Sequence, residues 1–359
     1  MNKRLNDFLD FIFNCRKGSL KYITYGYQAD YREKENFDLG YVPFPNVKFE
    51  EIVSIIPLTN PNNRPGDLKE STEYICVHDT ASGAPSAGAI AHKNWLESMA
   101  NNVESQTCVS WHFTVDDKYI IQHLPIDEVA YHAGDGTGTK LQFINTHIKA
   151  SEPIEVTKSD DGYFVVNGKK TDVMLPLDNE GNVAINAKFP ALGINYIIKK
   201  DGEVEISNTY YNKSYNCISN RGGNLNSVGI ETCVNNGSNY TKTMRINANL
   251  VARLLDNYKL DTSRVKQHNS FSGKDCPMTI RHSNRWQEFI DLVNINREYN
   301  ILKEQYDFEF KSLSPNYLND EGEVIKLEKG FLVNYCVKVI DKKDNKEVLN
   351  KEYFFRLDE

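Results

Sequence analysis

The stretch HNSFSGKDCP, His268 to Pro277, decides how this chain reads. It sets an imidazole, an ammonium and a thiol within nine residues, and Gly273 with its small polar neighbours lets the backbone curl. Such a loop can aim His268 and Cys276 at one point. Neutral imidazole and thiolate suit a tetrahedral zinc, and a catalytic zinc site usually has three protein ligands with the fourth position open. A third donor is needed. The best candidate lies far upstream in YICVHDT, where His78 ends an apolar run that reads as a buried strand. A His at the mouth of a core strand is held rigidly and faces a cleft. Each residue alone has a plainer reading: a His in a polar loop is solvated, and a lone Cys behaves as a small buried hydrophobe.

Three further segments stand between His78 and the HNSFSGKDCP loop: WHFTVDD with Trp111 and His112, HAGD at His132, and NSVGIET with Glu231, in that chain order. In this order and wording the chain resembles the zinc-dependent N-acetylmuramoyl-L-alanine amidases of the amidase-2 type. That superfamily also holds the peptidoglycan recognition proteins, and this version is most similar to phage endolysins of Gram-positive hosts. The resemblance runs from about Asn60 to Asn296. It implies one Zn2+ per chain on His78, His268 and Cys276, with Glu231 and Lys274 as the catalytic pair. Some members carry Tyr where this chain has Trp111; an indole has no phenolic proton, so Trp111 is expected to form a wall of the substrate site. His132 is expected beside the substrate. The substrate implied is bacterial peptidoglycan, cut between N-acetylmuramic acid and L-alanine. Two alternatives remain from other readings: a non-catalytic peptidoglycan-binding protein, whose relatives typically lack the Cys ligand, and a cytosolic amidase that recycles muropeptides.

Composition bounds these readings. With 359 residues, 40% hydrophobic and 25% charged, the chain suits two or three globular domains. A formal net charge of -7 argues against a nucleic-acid partner, which would require clustered Lys and Arg. No apolar run reaches the roughly 18 residues of a membrane helix. The opening MNKRLNDFLDFIFNC has early positive charge like a signal peptide, but Asp7 and Asp10 interrupt its apolar stretch. It reads as an amphipathic helix on Leu5, Phe8, Leu9 and Ile12, so synthesis in the cytoplasm is expected, followed by action on the cell wall as in phage or prophage release. The seven cysteines show no CxxC, which excludes a zinc finger or a thioredoxin-like centre. Cys76 and Cys233 read as packing residues. Composition says nothing about oligomeric state.

Strands alternating with helices predict an α/β class: a mixed β-sheet flanked by helices, with a β-rich insertion and a small C-terminal all-β module. The lead-in covers residues 1–59 and the catalytic domain 60–299. In the latter, Ala91, Trp95 and Met99 predict a helix laid on the core, and WHFTVDDKYIIQHLP predicts a hairpin. His112 reads as a structural His at least as readily as a site residue. The helix at 246–260 should bury Leu250, Val251, Leu254, Leu255 and Tyr258, and the closing helix Trp286, Phe289, Ile290 and Val293. The insertion, about 139–223, carries hairpin signals in YFVVNGKKTDV and NYIIKKDGEVEIS, and its Tyr210, Tyr211 and Tyr215 offer either packing or sugar-stacking faces. Residues 302–359 alternate apolar and polar side chains around DEG and DKKDNK turns and are expected to bind cell wall or to cap the fold.

Overall fold

The computed structural model describes residues 3–25, 33–134, 143–151, 154–175, 195–207, 222–272 and 274–357. The tyrosines at 210, 211 and 215 lie outside these residues. The central sheet is built from β3 (Glu50–Val53), β4 (Tyr74–Asp79), β5 (Phe113–Val115), β6 (Tyr119–Gln122), β13 (Ser227–Thr232) and β14 (Val265–Gln267), in the order β14-β4-β13-β5-β6-β3. β14, β4, β13 and β5 run parallel, and the β5–β6 hairpin turns antiparallel before β3 pairs parallel with β6. This is the expected mixed sheet. Its outermost strand, β3, comes from the segment read as lead-in.

Strand periodicity decides which side chains face which layer. Ile75 and Val77 of β4, Val228 and Ile230 of β13, and Phe113 and Val115 of β5 point to one face. They pack there against Leu250, Val251, Leu254 and Leu255 of α4 (Tyr240–Tyr258) and Phe289 and Val293 of α7 (Trp286–Leu302). The alternate residues, Cys76, His78, Glu231 and Thr114, therefore face the other way. On that second face lies α2 (Ala89–Asn101), which buries Ala89, Leu96 and Ala100. Leu96 and Ala100 meet Ile56, Trp111 and Leu124. The expected core stripe Ala91, Trp95, Met99 is rotated from the one observed, and Trp95 is 43% exposed. Both stripes have helical spacing, so periodicity alone could not separate them.

The insertion folds as two three-stranded sheets: β8 (Val156–Lys158), β9 (Tyr163–Val166) and β10 (Lys169–Met174), and β7 (Phe143–Lys149), β11 (Asn195–Ile198) and β12 (Glu203–Ser207). They share one small core, including Phe164, Val166, Val173, Val204 and Ile206. The Asn167-Gly168 turn between β9 and β10 has both residues at positive φ, 47° and 76°, the geometry that makes Asn-Gly a tight hairpin turn.

The two remaining units meet. α1 (Lys3–Asn14) buries Leu5, Phe8, Leu9, Ile12 and Phe13. The C-terminal sheet of β15 (Tyr306–Ser312), β16 (Leu332–Asp341) and β17 (Lys346–Arg356) covers that face, together with Val42, Phe44 and Ile295 of α7. Phe13 stacks on Tyr353 with ring centroids 3.5 Å apart. The C-terminal strands are thus all-β as expected, yet their core is completed by the opening helix. β1 (Leu20–Tyr25) and β2 (Glu33–Asp38), from the lead-in, pair antiparallel. The Tyr25 amide donates to Thr279 of α6 (Met278–His282), just beyond the HNSFSGKDCP loop.

Candidate active site

Three parallel strands end side by side, and their register assembles the site. Glu231 of β13 is paired with His78 of β4, so the two side chains lie next to each other on one face. On the other flank Gln267 of β14 pairs with Val77, and the next residue, His268, emerges beside His78. Ligands in open α/β sheets bind at these carboxyl ends of strands. His268 opens the short helix α5 (His268–Ser272). The loop then returns: Asn269 Nδ2 donates to the Lys274 carbonyl at 2.9 Å, and the Asn269 amide donates to the Cys276 carbonyl at 2.9 Å. The Thr279 amide donates to Asp79 Oδ2 at 2.8 Å, and Asp275 is held by Arg281 and His282.

This closure brings the sequence-predicted donors together. His268 Nδ1 lies 3.0 Å and Cys276 Sγ 3.7 Å from His78 Nδ1, and the three ligand atoms all fall within 4.8 Å of one another. Glu231 Oε1 is 3.8 Å from the same His78 nitrogen. Burial, then neighbouring imidazoles and Lys274, depress His78 well below the usual histidine range; burial and Lys274 do the same to His268. Both rings therefore favour the neutral form, the one whose lone pair a metal can take. Burial pushes the Cys276 thiol well up, with Asp79 adding to the rise and Lys274 opposing it, and a bound cation would draw off its proton. Burial also raises Glu231 to about 8, with Asp79 adding to the rise and the Lys274 ammonium opposing it. Glu231 Oε2 has no hydrogen-bond partner among the described residues although it is buried. Two imidazoles and a thiol fit zinc and not Ca2+ or Mg2+, which take oxygen ligands. The unpartnered carboxylate oxygen beside them fits a site that holds a further group.

A cleft of about 570 Å³ opens in front of Glu231, lined by Thr80, Ser82, His92, Trp95 and Trp111 among others. Trp111 stacks on Trp95 at 5.9 Å and donates from Nε1 to Thr114 Oγ1 at 2.7 Å, so the wall it forms is pinned. Trp95, expected in the core from its spacing, and His92 both line this cleft. Their helix, rotated as described, turns both toward the cleft. Lys274 acts on Glu231, His78 and Cys276 through its charge.

Two other histidines lie elsewhere. His112 is buried, accepting from the Gly229 amide at Nδ1 and meeting the Glu128 carbonyl at Nε2, so both nitrogens have structural partners. His132, expected beside the substrate, instead meets the back of His78: its Nδ1 is 2.9 Å from His78 Nε2, the nitrogen turned away from His268 and Glu231. Asn224 Oδ1 accepts from the His132 and Ala133 amides and fixes that backbone beside His78.

Among the described residues no helix is long and apolar enough to cross a membrane. Residues 68–163 and 166–279 match the family described as Amidase_2, N-acetylmuramoyl-L-alanine amidase. The N-acetylmuramoyl-L-alanine amidase CwlH of Bacillus subtilis (strain 168) is 38% identical over 136 residues, covering 38% of this chain and 49% of CwlH. The N-acetylmuramoyl-L-alanine amidase XlyA of the same strain is 44% identical over 103 residues, 29% of this chain and 30% of XlyA. The chain thus spans half or less of the length of these two relatives. The solved catalytic domain of XlyA superimposes with a TM-score of 0.40 at 24% identity, over 68% of this chain and 99% of that one. With more than half of its residues matched, and with His78, Glu231, His268 and Cys276 converging at the strand ends, the chain belongs to the Amidase_2 family of N-acetylmuramoyl-L-alanine amidases.

Proposed function

We propose that this protein is a zinc-dependent peptidoglycan hydrolase that cuts the amide between N-acetylmuramic acid and L-alanine, acting on the cell wall in the manner of an endolysin. The convergence of His78, His268 and Cys276 beside Glu231 is the observation that carries this reading. His78 Nδ1, His268 Nδ1 and Cys276 Sγ would hold the metal, which when bound supplies a Lewis acid and lowers the pKa of water. Glu231, desolvated and raised to about 8, is poised near neutral pH to take a proton from the attacking water and return it to the leaving amine. Lys274 supplies positive charge for the oxyanion that develops on the carbonyl. Trp111 and Trp95 present aromatic faces against which a sugar or peptide can lie. The presence of Cys276 in the cluster favours hydrolysis over a binding-only role. The C-terminal sheet is a candidate second contact with the wall.

Purified sacculi test the reaction. New L-alanine N-termini, appearing only when zinc is supplied to chelator-treated protein, are the expected product; new reducing sugar ends would mean that a different bond is cut.

A further inference from the structure

Ligand geometry at a metal depends on what holds the ligands, and His78 has a neighbour on each ring nitrogen. Behind it runs a series of contacts whose direction can be read from its far end. Ser227 Oγ donates to the Gly223 carbonyl at 2.7 Å, and a carbonyl can only accept, so the one serine proton is committed there. Toward His132 the hydroxyl is left with lone pairs alone. His132 Nε2, 3.4 Å from that oxygen, is therefore the nitrogen that carries the ring proton. With one proton per neutral ring, His132 Nδ1 is bare. Its 2.9 Å contact with His78 Nε2 then requires the proton to sit on His78 Nε2, which leaves His78 Nδ1 bare and aimed at His268 and Cys276.

We propose that His132 and Ser227 are positioning residues, which hold His78 as the Nε2–H tautomer so that its Nδ1 lone pair is presented to the metal. This inference rests on the zinc reading above. Hydrogen bonds of this kind commonly fix the tautomer and orientation of a ligating histidine. The rest of the local structure serves the same contact. Gly229, on the strand between, is required because any Cβ there would lie 2.6 Å from the His132 ring. Cys76 Sγ also approaches His78 Nε2, at 3.1 Å, and Cys76, His78 and His132 together make a second group of potential ligands. A metal there would need the Nε2 lone pair of His78, which the direction of the chain assigns to a proton, so His132 is a positioning residue and not a ligand.

Nitrogen-15 NMR of the histidine rings in the metal-free full-length protein reads the tautomer directly: His78 should be protonated at Nε2, and protonation at Nδ1 would overturn the proposal. Zinc competition with a chromophoric chelator supplies a second readout. His132→Leu should weaken zinc binding about 10- to 100-fold, whereas His132→Asn, whose side-chain oxygen stands near the position of Nδ1, should lose far less. Equal losses in the two variants would mark His132 as packing only, and unchanged zinc affinity with a raised KM would mark it as a substrate contact; either result sinks the inference. Should wild-type protein bind no zinc at all, the proposed function fails instead, and the tautomer is still decided by the metal-free spectrum.

Discussion

Glu231→Gln should make the metal-free protein more stable while removing its activity once zinc is restored. Desolvation raises the folded-state carboxyl from its ordinary value of 4.5 to about 8, with Oε2 itself buried and unpartnered among the described residues. Below pH 4.5 the group is neutral in both states and carries no penalty. Between 4.5 and 8 the unfolded chain ionises while the folded one stays protonated, and each pH unit costs the fold about 1.4 kcal/mol. By pH 7 the accumulated cost is roughly 3 kcal/mol, and it levels off above 8. Glutamine is nearly isosteric and never ionises, so its advantage over the wild type should grow to roughly 3 kcal/mol by pH 7 and about 5 kcal/mol by pH 8. Urea unfolding of chelator-treated wild type and variant at pH 4.5, 6, 7 and 8.5 measures it. A difference that does not change with pH would mean that the carboxylate is hydrated in the fold and that its desolvation has been misread. In the zinc-loaded variant, turnover should fall by about 10² to 10⁴-fold, the usual share of acid-base catalysis.

Three other outcomes are expected. His78→Ala and Cys276→Ser should each lose stoichiometric zinc by elemental analysis, and retention by both would remove them as ligands. Trp95→Ala takes away an exposed face of the cleft and its stacking on Trp111, so kcat/KM on sacculi should drop by roughly 2- to 10-fold, in line with the 0.5–1.5 kcal/mol of an aromatic pair; unchanged kinetics would place the substrate elsewhere. Ending the chain near Tyr299 uncovers Leu5, Phe8, Leu9 and Ile12, so the truncated protein should melt well below full length, and Phe13→Ala alone should cost about 3–5 kcal/mol in unfolding experiments. Equal melting temperatures would show that the C-terminal sheet is a detachable unit, whose wall binding could then be measured by sedimentation.

The strands that carry the site were legible because their residues alternate or run apolar and end in a polar group: IleCysValHis and ValGlyIleGlu declare both a buried strand and the side chain at its mouth. What joins those strands is less legible. Their parallel register, which sets Glu231 against His78, is a property of pairing and appears in neither segment alone. Trp95 escaped because the α2 pattern supports two faces, and only packing against Trp111 and Ile56 chooses between them. β3 escaped because four residues beginning with Glu50 and Glu51 make a poor strand signal on an exposed edge. The contact of His132 with His78 is not legible in its own segment, since the Asn224 side chain that fixes its backbone lies about ninety residues away.

The packing of α1 on the C-terminal sheet also governs when the protein can finish folding. Phe13 and Tyr353, or Asp10 and Lys351, are among the most distant partners a chain of this length can have. On a ribosome adding roughly 5–20 residues per second, the greasy side of the first helix waits on the order of 20 to 70 s before its cover is made. The α/β sheet, whose strands have all emerged by Gln267, can form during that interval. Chaperone capture or non-native sticking of the waiting helix is the characteristic hazard of such long-range closure, and an intermediate with a formed central sheet but an undocked α1 is the species to look for in refolding.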